Sequence, residues 1–119
     1  MQYLLLIYEN EASMAGLSEA EQGQMYQEYT DYTKAIRKSG HHLAGEALQP
    51  VATATTVRVK NGKTVTTDGP FAETREQLGG FYMVEAKDLD EAISLAARIP
   101  ASRTGSIEVR PILPFHVPE

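Results

Sequence analysis

The pattern of hydrophobic and polar positions predicts that the chain begins with a strand followed by a long helix. Residues 2–8 form a continuous apolar run, which is typical of a central strand covered on both faces. Residues 9–15 are expected to form a loop. Ser18 and Glu21 then have the spacing of a capping box, which opens a helix. The helix ends before Gly40 and carries an apolar stripe at spacings of four, three and four: Met25, Tyr29, Tyr32 and Ile36.

The middle of the chain predicts a β-hairpin. Residues 53–60 and 63–67 are rich in Thr and Val, and Asn61-Gly62 between them is the strongest short signal for a type I′ turn. In the register that this turn imposes, Lys60 faces Lys63, and neither side of the ribbon is cleanly apolar. We therefore expect the ribbon to project from the main sheet or to pack against another subunit.

The remaining patterns predict an α+β fold. Three further strands are expected at residues 42–48, 80–86 and 107–112. Asp88 and Glu91 open a second helix, which ends at Pro100. Without the hairpin, the order strand, helix, strand, strand, helix, strand is the split pattern of the ferredoxin-like architecture. We predict a single domain over residues 1–119, ferredoxin-like, with an inserted β-hairpin.

This architecture places both helices on one face of the sheet, so the other face needs a cover. A chain of 119 residues has no elements left for that purpose. A homodimer that packs two sheets face to face would bury both uncovered faces. We therefore expect a homodimer.

Composition narrows the chemistry and the partners. The chain has no cysteine, which excludes disulfides, thiolate zinc sites and thiol nucleophiles. The net charge of −5 and the scattered basic residues argue against nucleic acid. The opening apolar run is too short to span a bilayer and lacks a basic leader, so we expect no membrane partner and a cytoplasmic location. Nucleotide fingerprints are absent, and we expect no cofactor.

The densest cluster of reactive side chains lies in residues 67–82, which hold three carboxylates, one arginine and a diglycine between two predicted strands. Asp68 could face a pocket as a general base if burial raised its pKa. It could instead accept backbone hydrogen bonds in an Asp-Gly-Pro turn. Glu73 and Glu76 would share a face of a helical turn, either as a proton-sharing pair or as solvated surface.

Glu46 is the third catalytic candidate, with Asp68 and Glu76. It is predicted to share a strand face with His42, but the two Cα atoms would be roughly 13 Å apart, too far for a shared metal ion. We therefore predict no metal site. Glu46 could meet Asp68 or Arg75 across the sheet, or form a structural ion pair.

Aromatic side chains could line an apolar cavity with hydroxyl groups at its edge, although core packing is the default for residues at these spacings. The candidate ligand-binding residues are Glu73, Arg75, Phe71 and Tyr82.

The chain resembles the YCII-related superfamily over nearly its whole length, and within it the branch named for the Asp-Gly-Pro-Phe motif. The resemblance is carried by an opening run, a central segment and a long motif: Tyr3-Leu4-Leu5-Leu6-Ile7-Tyr8, Ala44-Gly45-Glu46-Ala47-Leu48-Gln49-Pro50, and Asp68-Gly69-Pro70-Phe71-Ala72-Glu73-Thr74-Arg75-Glu76-Gln77-Leu78-Gly79-Gly80-Phe81-Tyr82. It continues through two shorter segments: Asp88-Leu89-Asp90-Glu91-Ala92 and Gly105-Ser106-Ile107-Glu108-Val109-Arg110-Pro111.

The resemblance implies a dimeric α-β barrel with a pocket between the sheet and the helices, and for some relatives a link to extracytoplasmic-function sigma factors. It also implies enzymatic activity through a histidine and an aspartate. This sequence departs from that pattern, because its long helix contains no histidine and Ile99-Pro100 stands where an aspartate-proline pair is expected. Two functions remain open: an enzyme that uses carboxylate acid and base chemistry on a small molecule, and a non-catalytic dimeric module that binds a ligand or regulates a partner.

Overall fold

The computed structural model describes residues 1–119 and has an α+β architecture. Its six strands are β1 (Gln2–Glu9), β2 (His42–Ala47), β3 (Thr55–Lys60), β4 (Lys63–Asp68), β5 (Gln77–Glu85) and β6 (Ser106–Pro111). Its three α-helices are α1 (Glu11–Ala15), α2 (Glu19–Lys38) and α3 (Leu89–Ala97). Two short 3₁₀ segments lie at Val51–Thr53 and Pro100–Arg103. None of the helices combines the length and the apolar character needed to cross a membrane.

The main sheet has four strands in the order β2-β5-β1-β6, and every neighbouring pair is antiparallel. This order, with α2 and α3 as the crossovers, is compatible with the predicted ferredoxin-like fold. The sheet is open, with β2 and β6 at its edges, and the chain forms no closed barrel.

One face of the sheet forms the core with the two long helices. Tyr3, Leu5 and Ile7 of β1 are buried, whereas Leu4 and Leu6 between them are only partly buried. The predicted cover on both faces of β1 is therefore present on one face only. The core contains 13 residues: Tyr3, Leu5, Ile7, Tyr32, Ile36, Tyr82, Val84, Ala86, Ala92, Leu95, Ala96, Ile99 and Ala101.

Both predicted helix starts are confirmed. The Ser18 hydroxyl accepts a hydrogen bond from the backbone N–H of Glu21, and the Glu21 carboxylate accepts one from the backbone N–H of Ser18. At α3, the Asp88 carboxylate accepts from the backbone N–H of Glu91. These bonds satisfy N–H groups that the first turn of a helix leaves unpaired.

The predicted hairpin is also confirmed. Asn61 and Gly62 both adopt positive φ angles, of 51° and 75°, as a type I′ turn requires. Lys60 pairs with Lys63 as expected. Strands β3 and β4 form a sheet of their own and have no substantial packing against another helix or strand.

Two local predictions are wrong. Residues 9–15 are not a loop, because the Asn10 side chain accepts a hydrogen bond from the backbone N–H of Ser13 and opens α1. Glu73 and Glu76 do not lie on a helical turn, since residues 69–76 are irregular and β5 already begins at Gln77. Glu73 and Glu76 therefore do not share a helical face, which the predicted pairing of their carboxylates required.

Glycines allow the backbone to pack closely at two points of the sheet. The register of β1 against β5 shifts at Gly79, which forms a β-bulge in the diglycine. A Cβ atom on Gly80 would lie 2.9 Å from the carbonyl oxygen of Glu46 in β2. At Gly105, just before β6, a Cβ atom would lie 2.1 Å from the carbonyl oxygen of Tyr8.

The Gly105→Ala variant should therefore be clearly destabilised, because the added methyl group forces β6 away from β1. We expect a free-energy cost of about 2 kcal/mol or more, or a fall in the unfolding midpoint of roughly 6 °C or more. The control is Gly23→Ala, at a helical site of α2 with no atom within 4 Å of the added Cβ, which should gain about 1 kcal/mol. Thermal unfolding at fixed protein concentration measures both. Equal midpoints for wild type and Gly105→Ala would contradict the close approach.

Candidate functional site

A cleft with a volume of about 600 Å³ lies between α2 and the β2–β5 side of the sheet. Residues of α1 and of the segment after β2 also border it, among them Met14 and Pro50. Clefts of this volume are in the range that holds small molecules.

Helix α2 contributes one wall through residues four positions apart: Met25, Tyr29, Thr33 and Arg37. Residues at this spacing lie on successive turns of one side of a helix, so the wall is about 18 Å long. Tyr32 and Ile36 lie beside this line and are buried in the core. One side of α2 therefore packs on the sheet, while the adjacent side borders the cleft.

The opposite wall is built around Tyr82 of β5. Its hydroxyl is 2.6 Å from the Thr33 hydroxyl of α2, so the two hydroxyls form a hydrogen bond between the sheet and the helix. Its ring lies over Gly45 of β2, where a Cβ atom would be only 2.8 Å from the ring carbon Cδ1. The His42 ring meets the Tyr82 ring edge to face, with the centroids 6.2 Å apart. Gly45 thus makes room for the Tyr82 ring beside β2.

Two of the three acidic side chains that border the cleft, Glu9 and Glu11, have hydrogen-bond partners in the chain. Glu9 accepts a hydrogen bond of 2.8 Å from the Thr104 hydroxyl. Glu11 accepts from the backbone N–H of Val51, with its nearer carboxylate oxygen at 3.1 Å. These bonds link Glu9 to the segment before β6 and Glu11 to the segment after β2.

Arg37 and His42 are different, because the side chain of neither takes part in a hydrogen bond or an ion pair of the chain. Both line the cleft beside Tyr82. The guanidinium and the imidazole are thus available to a ligand. The neighbouring His41 is occupied, with Nδ1 2.7 Å from the Ser39 hydroxyl and Nε2 3.2 Å from the Glu91 carboxylate.

Burial raises the pKa of three tyrosines around this cleft. Tyr29 and Tyr82 border it, and Tyr32 lies behind it in the core. Desolvation is the main cause of the raised pKa for each. The Glu9 carboxylate adds to the raised pKa of Tyr29, whereas the hydrogen bond with Thr33 partly opposes the raised pKa of Tyr82. The hydroxyls are therefore neutral hydrogen-bonding groups at ordinary pH.

The predicted site residues are distributed over several elements. Tyr82 and Glu46 border the cleft. Asp68 is exposed at the end of β4, opposite Thr55. The irregular segment after it holds three further candidates, all exposed and outside the cleft lining: Phe71, Glu73 and Arg75. Glu76 is half-buried and accepts a hydrogen bond of 2.7 Å from the Ser106 hydroxyl of β6.

The structure does not bring the three catalytic candidates together. Glu46 pairs with Phe81, and alternation along β5 puts both side chains on the face opposite Tyr82, away from α2. Glu76 bonds to β6, which is the far edge of the sheet from β2. The expected common face of Glu46 and His42 is wrong, because the register of β2 shifts between His42 and Ala44.

Sequence reasoning did not single out Thr33 and Arg37 as cleft residues. Met25 and Tyr29 are four positions apart, but the apolar stripe that they form with Tyr32 and Ile36 predicts the core-facing side of the helix. Thr33 and Arg37 continue the four-residue spacing of Met25 and Tyr29. Polar residues that extend a line of this kind, beside a buried stripe of the same helix, are the sequence signal for this wall.

No cluster of three or more His, Cys, Asp or Glu side chains is arranged to hold a metal ion. The cleft instead combines apolar walls with three hydroxyls, three carboxylates, one carboxamide, one guanidinium and one imidazole. Such a set can bind and orient a small molecule by apolar contact and hydrogen bonds.

Because the pKa values of Tyr29, Tyr32 and Tyr82 are raised, we expect these three tyrosines to ionise at a higher pH in the folded protein than in the unfolded chain. Their contribution to stability is fully present below about pH 10, the pKa of an unfolded-chain tyrosine, and is lost as the pH rises further. Tyrosinate absorbance and denaturant unfolding between about pH 9 and 12 measure both effects.

Tyr26→Phe is the control, since Tyr26 is 75% exposed and its loss should leave the late ionisation of the three buried phenols unchanged. Simultaneous ionisation of all tyrosines near pH 10 in the folded protein would contradict the burial of the three phenols.

The chain also has recognisable relatives. It matches the family model of the YCII-related domain over residues 1–116. It is 35% identical over 114 residues to an uncharacterized protein of Rhizobium meliloti (strain 1021), and this match covers 94% of the chain and 92% of that protein. Both matches run through the sheet, the helices and the cleft described above. The chain therefore belongs to the YCII-related domain family.

Proposed function

We propose that this YCII-related protein is a homodimeric ligand-binding module that holds a small molecule in the cleft between α2 and the sheet. The observation that carries the proposal is the cleft itself, with its apolar walls and with polar groups beside Tyr82 that have no partner in the chain. Ligand pockets commonly pair mostly apolar walls with a few polar groups that orient the ligand.

Binding without catalysis is the better-supported function because the carboxylates do not converge. Acid and base catalysis needs its groups within hydrogen-bond reach of one substrate. Glu46 points away from α2, Asp68 lies in the hairpin, and Glu76 is bonded to Ser106.

An enzyme that uses Asp68, Glu46 and Glu76 remains the second candidate function. One observation favours it: Glu46 borders the cleft that Tyr82 lines. A ligand that reached around the edge strand β2 would meet this carboxylate.

The homodimer is supported by apolar surface that the single chain leaves open. The sheet face away from the helices carries Leu4, Leu6 and Met83, all only partly buried. The tail exposes further apolar side chains, with Phe115 at 85%. The radius of gyration is 16.6 Å, against about 13.5 Å for a compact chain of this length. Packing two such faces together would remove this apolar surface from water and complete a dimeric α-β barrel from which the inserted hairpin projects.

The finer family assignment rests on sequence motifs. Asp68-Gly69-Pro70-Phe71 supports membership of the branch named for that motif. A link to an extracytoplasmic-function sigma factor follows from the resemblance to that branch and is part of the same proposal.

Leu6→Glu should shift the protein from dimer to monomer, because a charge placed on the open sheet face would be desolvated in the dimer. Analytical ultracentrifugation measures the mass of the wild type and the variant. Gln24→Glu, an equal change of charge on the exposed side of α2, is the control and should leave the dimer intact. A wild-type protein that sediments as a monomer at all concentrations would contradict the dimer.

Ala15→Trp should reduce ligand retention at least about tenfold, because Ala15 borders the cleft and an indole would occupy it. Ala12→Trp is the control, since Ala12 is an exposed residue of the same helix outside the cleft lining. The measurement is mass spectrometry of metabolites that ultrafiltration retains with the protein. Equal retention by Ala15→Trp and wild type would contradict binding in the cleft.

The same assay separates the two candidate functions. A binding module returns the retained molecule unchanged. Consumption of that molecule by wild type, but not by Glu46→Gln, would favour the enzyme.

A further inference from the structure

The charge of the cleft is unbalanced at one end. Of its charged side chains, Glu9 and Glu11 are already hydrogen-bonded to Thr104 and to the backbone of Val51. Glu46 points away from α2. Arg37 is the only Lys or Arg side chain of the lining, and it has no ion-pair partner in the chain. Glu9 and Glu11 keep their negative charges, but Glu9 pairs with Gln77 at one end of β5, whereas His42, beside Arg37, pairs with Val84 at the other. An anionic group of a ligand is therefore favoured at the Arg37 end of the cleft.

Other donors surround this charge. Arg37 follows Thr33 by one helical turn, so its guanidinium lies at the end of the cleft that holds the Thr33 and Tyr82 hydroxyls. The Arg37 charge acts on the Tyr82 hydroxyl directly, where it lowers the pKa that burial raises. The His42 ring packs edge to face on Tyr82 and adds an N–H donor beside the same point.

The rest of the cleft is apolar. Away from Arg37, the α2 wall continues through Tyr29 to Met25, about 18 Å along the helix. Across from it lie further apolar side chains: Ile7, Met14, Leu48 and Pro50. A ligand that fills this space needs a hydrophobic body and one polar end.

The type of anion follows from the position of Arg37 in the last turn of α2. A guanidinium presents parallel N–H groups that match the two oxygens of a carboxylate. The C-terminal end of a helix carries partial negative charge, which disfavours a doubly charged phosphate more than a singly charged carboxylate.

We propose that the cleft binds an amphipathic monocarboxylate, with its carboxylate on Arg37 beside Tyr82 and His42 and its apolar or aromatic body along Tyr29 toward Met25. The inference rests on the proposed ligand-binding function and specifies the ligand class of the same cleft.

Three probes with one hydrophobic body and different ends test this assignment: hydrocinnamate, phenylpropanol and phenylpropylamine. Titration of ¹⁵N-labelled full-length protein reports binding through the amide signals of Thr33, Gly45 and Gly80. We expect hydrocinnamate to bind about tenfold or more tightly than phenylpropanol, since a charged hydrogen-bonded pair forms only with the acid. Phenylpropylamine should not place its charged end at Arg37, because the ammonium and the guanidinium repel each other.

Arg37→Gln should bring the affinity for hydrocinnamate down to that for phenylpropanol and leave the affinity for phenylpropanol unchanged. Lys38→Gln removes the same charge from the next residue, which lies outside the cleft lining, and should keep the preference for the acid. Retention of the preference by Arg37→Gln would overturn the role of Arg37.

The outcomes also separate this inference from the function on which it rests. If phenylpropanol shifts the cleft amides and binds as tightly as hydrocinnamate, the ligand class is wrong while the cleft remains a binding site. If none of the three probes shifts those amides, both the ligand class and the proposed binding function are overturned.

Discussion

The contact between Tyr32 and Tyr82 fixes the position of α2, and the remaining features of the cleft depend on it. The two rings meet edge to face with centroids 5.2 Å apart, an arrangement that aromatic pairs prefer. The Tyr32 hydroxyl donates to the carbonyl of Leu95 in α3, while the Tyr82 hydroxyl bonds to Thr33. One pair of phenols thus connects both helices to the sheet and sets the rotation of α2.

The rotation of α2 places one side of the helix in the core and the adjacent side beside the cleft. With Tyr32 and Ile36 in the core, the adjacent line of residues that ends at Arg37 is left beside an open cleft. The sheet shows a similar division, because one face is covered by the helices while the other retains partly exposed Leu4 and Leu6. Tyr82 and the α2 wall of the cleft lie on the helix-covered side of the sheet, opposite the face that carries Leu4 and Leu6.

The fold was largely predictable because it follows from local patterns. The capping boxes, the Asn61-Gly62 turn and the apolar run of β1 each depend on neighbours a few residues apart. The cleft depends on contacts between distant segments, such as Thr33 with Tyr82, and on the fit of that ring over Gly45. The face on which the Glu46 side chain lies depends on the register of β2 against β5, because a shift of one residue moves a side chain to the opposite face of the sheet.

The most direct test of this arrangement is thiol labelling of single cysteines on α2, which the cysteine-free chain permits. Met25→Cys should react with a small thiol reagent in the native protein, because residue 25 borders an open cleft. Ile36→Cys should react only at the rate of unfolding, because residue 36 is fully buried. Equally slow labelling at both positions, or rapid labelling at residue 36, would contradict the orientation of α2 on which the cleft depends.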